Sequence, residues 1–243
     1  GSVGGDGSAG TVSIAHTGNI TTSGNAAHGI FAQSAGGKTS ATNPQYLGVG
    51  GNVSVTYSGI LRVNGADGDG ILAQSVGVDG KGTLSVTVEG GSVQGGSGSG
   101  AGVRFLDGSA NTLTNRGTVT ALSGSAVVGS AAPDHINNFG TIAGNVDLAE
   151  GANSFYNREN ASFRPKASVI LGSSRALENA GTLSPGGLAQ VQETLLTGDL
   201  QQTPTGKLAM DVSMTSNSRD TLAVTGTAQM AGGLQINPVD SGY

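Results

Sequence analysis

The sequence predicts an all-β fold in which short repeated units stack into a parallel β-helix, and three observations carry that expectation. Apolar residues alternate with Ser, Thr and Asn over short runs, the pattern of strands with one buried and one wet face. Phrases recur in order: "HGIFAQS" at 28–34 returns as "DGILAQS" at 69–75, 41 residues on. Past residue 110 the repeat tightens to a period of about 20 residues, with an Asn at an equivalent turn in each copy. One such unit cannot bury its own apolar face, whereas stacked units bury a continuous core.

Each element follows from that frame. Gly10-Thr11-Val12-Ser13-Ile14 lies upstream of the first phrase and Gly51-Asn52-Val53-Ser54-Val55 upstream of the second, again 41 residues on. A third copy opens at Gly82-Thr83-Leu84-Ser85-Val86, and its late strand, Gly102-Val103-Arg104-Phe105, is a weaker echo of the phrase. Each unit reads as three strands joined by turns, in the second copy 53–57, 60–63 and 71–74. The repeated phrase is then one wall of the stack, with its Ile and Ala positions facing the core. The first unit is ten residues longer than the second, and the excess falls around 36–50, "GGKTSATNPQYLGVG". A stack tolerates such an insertion at a turn, and inserted loops often lie on a binding face.

Beyond residue 110 the triplets ending in Asn115, Asn138, Asn157 and Asn179 recur at steps of 23, 19 and 22. Three of them continue as Asn-x-Gly-Thr-apolar, and the Asn157 copy departs, with Glu159-Asn160-Ala161 in that place. Asn accepts left-handed turn geometry, and its amide can hydrogen-bond along a stack, so these four residues are expected to form a structural turn ladder. About nine or ten units at the strand spacing of about 4.8 Å would make a rod roughly 45 Å long.

After Leu183 the texture changes. Three alternating runs, 208–212, 222–224 and 234–236, are separated by polar or Gly-rich turns. They read as β-hairpins that cap one end of the stack, where an open unit would expose unpaired strand edges. "LAQVQETLL" at 188–196 has helical spacing, but its flanks favour strand. The division expected is 1–174, units with the inserted loop, and 175–243, final units and hairpin cap.

"ENAGTLSPGG" (178–187), "LLTGDLQQTPTGKLAMDV" (195–212) and "DTLAVTGTAQMAGGLQINP" (220–238) resemble the end of an autotransporter passenger domain, in the pertactin-like and AIDA-like group of type V secretion proteins. The resemblance covers roughly residues 111–243, and the "GILAQS" units also resemble the long Gly-rich passengers of that group. It implies a right-handed parallel β-helix, carried through the bacterial outer membrane by a covalently linked C-terminal β-barrel. It also implies an autochaperone region, here about 175–243, that folds first and templates the rest. Absent cysteine suits translocation, because a disulfide-crosslinked chain would cross poorly.

Composition narrows the function. Glycine, at 44 of 243 residues, would alone suggest a low-complexity chain, but hydrophobic residues still make up 36%. The net charge is −5, with four Lys and seven scattered Arg, so the clustered cations that nucleic acid needs are missing. No apolar stretch is long enough to span a bilayer as a helix. The initial Gly-Ser reads as a cloning scar on an excised fragment.

Chemistry is sparse. His16, His28 and His135 lie in no catalytic motif, no esterase or protease elbow surrounds a Ser, and Gly-Ser-Gly-Ser-Gly at 96–100 reads as a turn. His28 stands where the next copy has Asp69 and is expected to face solvent. Asp67-Gly68-Asp69-Gly70 invites a calcium reading, but the nonapeptide repeats of a calcium roll are missing, and an acidic turn is expected. Asp211 and Asp220 could pair as catalytic carboxylates; satisfying backbone donors at turns is the favoured reading. The chain is therefore expected to be no enzyme and to need no metal or cofactor. A β-helical polysaccharide lyase or hydrolase, with clustered carboxylates on one wall, is the enzymatic alternative.

What remains is binding by surface: a secreted or surface-displayed fragment acting in adhesion or bacterial self-association. Expected partners are a host cell surface, a matrix protein or glycan, or the same protein on another bacterium. The inserted loop, with Lys38, Asn43, Pro44 and Tyr46, is the candidate contact site. A stalk that displays an effector from a missing N-terminal part is the structural alternative.

Overall fold

Alternating apolar and hydroxyl residues make strands here because each apolar side chain has a neighbour of the same kind directly above and below it. The computed structural model describes residues 7–37, 48–172 and 175–240, and the described residues are all β, with no helix. Two sheets, of 17 and 8 strands, hold all 25 strands. Every pairing between strands is parallel except one short antiparallel contact near the C-terminus.

The strands form three walls. The first wall begins at Val12–Thr17 and proceeds through Asn111–Asn115, Asp134–Asn138, Ser154–Asn157, Ala176–Asn179, Asp199–Gln202 and Ala228–Gln229. The second begins at Ile20–Thr22 and ends at Lys207–Ser213 and Gly233–Pro238. The long strands Val53–Val63 and Leu84–Gly95 run through both walls, which merges them into the larger sheet. The third wall is the 8-stranded sheet, from Ile30–Ala35 through Ile71–Val76 and Ala101–Asp107 to Thr221–Val224.

Equivalent residues lie one over the next. In the repeated phrase, Ile30 pairs with Ile71, Ala32 with Ala73, Gln33 with Gln74 and Ser34 with Ser75. The Ile and Ala positions are buried, at 7% and 1% exposure in the first copy and 0% in the second. Three apolar columns fill the space between the walls. One is Leu113, Ile136, Phe155, Leu177 and Leu200; a second is Leu61, Val93, Val119, Ile142, Phe163 and Leu183; a third is Ile71, Val103, Val127, Val146, Val169 and Leu196. Phe155 and Phe163 meet with centroids 4.5 Å apart and rings tilted by 51°, so one layer joins two columns through an aromatic pair.

Glycine decides the bend between first and second walls. Gly59 (φ +142°) and Gly91 (φ +75°) sit there in successive layers, and a Cβ on Gly91 would run into the carbonyl oxygen of Gly59. Only a residue without Cβ lets the backbones approach so closely at that φ. The copy that lacks this glycine solves the turn differently: Asn160 takes a left-handed φ of 65° and the Ala161 N–H bonds back to the Arg158 carbonyl at 3.0 Å.

The C-terminal runs differ from expectation. Instead of hairpins across the end, residues 208–212 and 234–236 lie in the second wall and 222–224 in the third, all parallel to the layer before. The one antiparallel contact joins Val212 and Ser213 to Arg219 and Ser218. Alternation reports a wet face and a dry face but not strand direction, and continued stacking buries more apolar surface than a hairpin would. The last layer stays open, with Leu234 66% and Ile236 55% exposed. Residues 193–197 are strand, not helix.

Candidate functional site

Two sets of polar side chains bear on function: those turned into the corners between walls and those on the outer face of the first wall. At the first-to-second corner the four Asn form a chain of amides. Nδ2 of Asn115 donates to Oδ1 of Asn138 at 2.8 Å, Asn138 to Asn157 at 2.9 Å and Asn157 to Asn179 at 2.8 Å. Asn179 passes the chain to Oε1 of Gln202 at 3.1 Å, and Gln202 ends it on the Ala231 carbonyl at 2.5 Å. Each Nδ2 also donates to a backbone carbonyl one layer on, Thr141, Ser162, Thr182 and Lys207 in turn. All four Asn are essentially inaccessible, so their bonds are made away from water, where leaving one unmade is costly.

The corner where each layer enters the first wall carries groups that sequence reasoning missed. Ser34 Oγ donates to the Gly10 carbonyl and accepts from the Gly51 N–H, both at 2.8 Å; Ser75 repeats this with Gly51 and Gly82. Further along, Asn111 Nδ2 donates to Asp134 Oδ1 at 2.7 Å, and the Asp134 N–H donates to Asn153 Oδ1 at 2.8 Å. The signal was present as the Asx-x-apolar-x-Asn spacing of 111–115, 134–138 and 153–157. Burial pushes the Asp134 carboxyl up to about 6, against the opposing bonds from Asn111 and the Ser130 N–H. Asn111 Oδ1 is buried and takes no hydrogen bond among the described residues.

Asp211 and Asp220 are both buried and close together. Asp220 accepts from the Asp211 and Gln192 N–H groups, each at 2.7 Å, and Asp211 accepts from the Gln190 N–H at 2.9 Å and Asn237 Nδ2 at 3.0 Å. Burial, with the Asp211 charge adding to it, raises the Asp220 carboxyl. Three of their four oxygens accept from backbone N–H groups and the fourth from the Asn237 amide, which ties turns together.

His28 corrects its reading as a solvent-facing residue. It is half-buried, and its Nδ1 accepts the Asp69 N–H at 2.9 Å, because the residue above it in the stack presents that donor. Asp69 is itself buried, bound to the Ala101 N–H at 2.7 Å and to Arg104 Nε at 3.0 Å. Asp67 is turned the other way, exposed, with Oδ1 accepting from the Ser99 N–H and hydroxyl. The two carboxylates do not converge, and no group of three or more metal-ligating side chains occurs among the described residues. His16 stacks on Tyr57 at 6.0 Å and His135 Nδ1 meets Ser154 Oγ at 2.8 Å, so the three His stand apart: His16 in the first wall of the first layer, His28 just before the third wall of that layer, and His135 several layers on.

On the outer face of the first wall, two columns run from layer to layer. One is Ser54, Ser85, Thr112, His135, Ser154, Ala176 and Asp199; the other is Thr56, Thr87, Thr114, Asn137, Tyr156, Glu178, Gln201 and Gln229. Hydroxyls fill the first three positions of both columns; longer side chains follow in the second, while the first keeps small residues at Ser154 and Ala176. Beside them Arg116, Phe139 and Arg158 stack at the corner, the two guanidiniums 5.3 and 6.0 Å from the Phe139 centroid. Lys38, Asn43, Pro44 and Tyr46 of the inserted loop lie outside the described residues. No protein-family model, curated protein or solved structure matches this chain.

Proposed function

We propose that the chain is a right-handed parallel β-helix, a fragment of a surface-displayed autotransporter passenger that acts in adhesion to host surfaces or in bacterial self-association. The observation that carries this reading is the outer face of the first wall, where in-register hydroxyls at Ser54, Ser85 and Thr112 run beside those at Thr56, Thr87 and Thr114. Parallel pairing repeats these groups about every 4.8 Å, so many weak hydrogen bonds add along one line. Such a face suits a long partner: a glycan, a matrix protein or a second rod. The order of motifs between 178 and 238, which resembles the end of such passengers, supports the same reading. On it, residues 175–243 promote folding during outer-membrane translocation, and the partner for display is a covalently linked β-barrel.

The test is saturable binding of labelled chain to cultured animal cells and to bacteria that display it. The intact chain is compared with one lacking 37–49 and one carrying Thr56→Lys, Thr87→Lys and Thr114→Lys. Binding lost with the lysines supports the wall as the contact, and binding lost with the loop supports Lys38, Asn43, Pro44 and Tyr46. Binding to neither surface contradicts adhesion and favours a stalk.

A further inference from the structure

The outer face of the first wall is not uniform. In its first column a small residue, Ala176, stands between Ser154 and Asp199 and leaves a dent. Two adjoining cavities of about 240 and 210 Å³ open there and share Ala176 and Gln201. Tyr156 and Glu178 line one, and Asp199 and Gln229 the other. The neighbouring column supplies four of these groups from four successive layers, Tyr156, Glu178, Gln201 and Gln229.

The dent is chemically unlike the hydroxyl rows. Among the described residues no hydrogen bond takes up the Tyr156 hydroxyl, the Glu178 carboxylate or the Gln201 and Gln229 amides. The Tyr156 ring is held by Arg158, whose guanidinium lies 4.4 Å from its centroid and donates to Asn137 Oδ1 at 2.7 Å. Asp199 keeps one oxygen on the Thr227 N–H at 2.7 Å. Arg175, whose Nε donates to the Gly151 carbonyl at 3.0 Å, lines the same cavity as Tyr156 and Glu178. The groove thus offers a fixed aromatic ring, two amides that both donate and accept, two carboxylates that only accept, and one cation already engaged by backbone.

We propose that this groove binds a neutral oligosaccharide. A pyranose ring has an apolar C–H face for Tyr156 and vicinal hydroxyls for the carboxylate and amides. The layer spacing of about 4.8 Å is close to one sugar residue along a chain, so successive rings meet successive side chains. An acidic sugar is disfavoured, because its carboxylate would face both Glu178 and Asp199, against a single cation, Arg175, whose Nε is already on the Gly151 carbonyl. The proposal deepens the adhesion reading by naming a ligand class and rests on it for biological sense, but binding is measured without cells. Cell binding that fails while sugar binding holds removes adhesion alone; sugar binding that fails removes this site alone.

The experiment titrates the chain with maltotetraose, cellotetraose and tetragalacturonate, following the Tyr signals by NMR. Saturable binding of a neutral tetrasaccharide is expected, with tetragalacturonate about tenfold weaker or more. Ala176→Leu, which fills the dent, and Tyr156→Ala are each expected to weaken binding about tenfold. The exposed Gln201→Ala serves as a second probe that leaves packing intact, with a smaller loss expected. No saturable binding of either neutral sugar overturns the proposal, as does binding that all three variants leave unchanged. Tighter binding of tetragalacturonate overturns it too.

Discussion

The corner where each layer enters the first wall is built in two chemistries, and the contrast explains how units of unequal length share one stack. In the long units, Ser34 and Ser75 clamp backbone to backbone: each hydroxyl accepts from one Gly and donates to another. In the short units, Asn111, Asp134 and Asn153 bond one to the next. A clamp ties a strand end to main chain and makes no demand on the side chain in the next layer. A ladder needs the same position occupied in every layer. Ladder positions accordingly keep a fixed offset from a core residue, as in Asp134 two before Ile136 and Asn153 two before Phe155, while the steps between them vary. Length varies mostly in the turns; within the strands it changes at two bulges, at Glu89 in the bend between first and second walls and at Ala126 in the third wall.

The largest effect of breaking a ladder is expected at the first-to-second corner, whose amide chain is the longest, with Asn138→Ala. It orphans donors and acceptors on Asn115 and Asn157 and the Ser162 carbonyl, and about 3 kcal/mol of stability should go, read from the urea midpoint. A loss under about 1 kcal/mol would make the ladder ornamental.

Asp134→Asn should act in the opposite direction at neutral pH. The folded carboxyl sits near 6 against 3.8 unfolded, so the folded state holds the proton more tightly. Below the unfolded value both states are protonated and nothing is lost. As pH rises from about 4 to 6 the unfolded chain ionises first, and about 2 kcal/mol of stability is lost. The amide carries no charge, and Asn111 can turn its unpaired Oδ1 toward the new Nδ2. The variant should therefore be more stable at pH 7 and nearly flat over that range; parallel pH curves for the two proteins would contradict this.

Ser75→Ala should cost about 1–2 kcal/mol, less than Asn138→Ala, since its two lost partners are single backbone groups. The smallest effect is the most discriminating. A double-mutant cycle across Asn115 and Asn138, which touch, should give a coupling of about 1 kcal/mol. The cycle across Ser34 and Ser75, paired neighbours whose hydroxyls meet only through Gly51, should give a smaller coupling of about 0.5 kcal/mol.

Much of this arrangement was legible in the sequence, because in a stack of parallel layers equivalent positions in sequence are neighbours in space. The repeated phrase at 28–34 and 69–75 meets itself residue over residue, and the Asn at 115, 138, 157 and 179 meet as amides. The entry corner was hidden because its positions mix Ser, Asn and Asp, types that share a role but not a letter. The C-terminal runs misled because alternation is the same in parallel and antiparallel strands. The groove at Ala176 was invisible because its lining comes from four separate layers, and a dent is defined by a small residue among larger neighbours.

In-register parallel stacking can be tested directly, because the sequence has no cysteine. Paired cysteines at Thr56 and Thr87, opposite each other on the outer wall, should form a disulfide on mild oxidation, since in-register parallel neighbours lie about 4.8 Å apart. Cysteines at Thr56 and Ser85, two residues out of register and roughly 8 Å apart, should remain as thiols. That pattern is the result the account predicts. Equal cross-linking of the two pairs, or preference for the second, would contradict it.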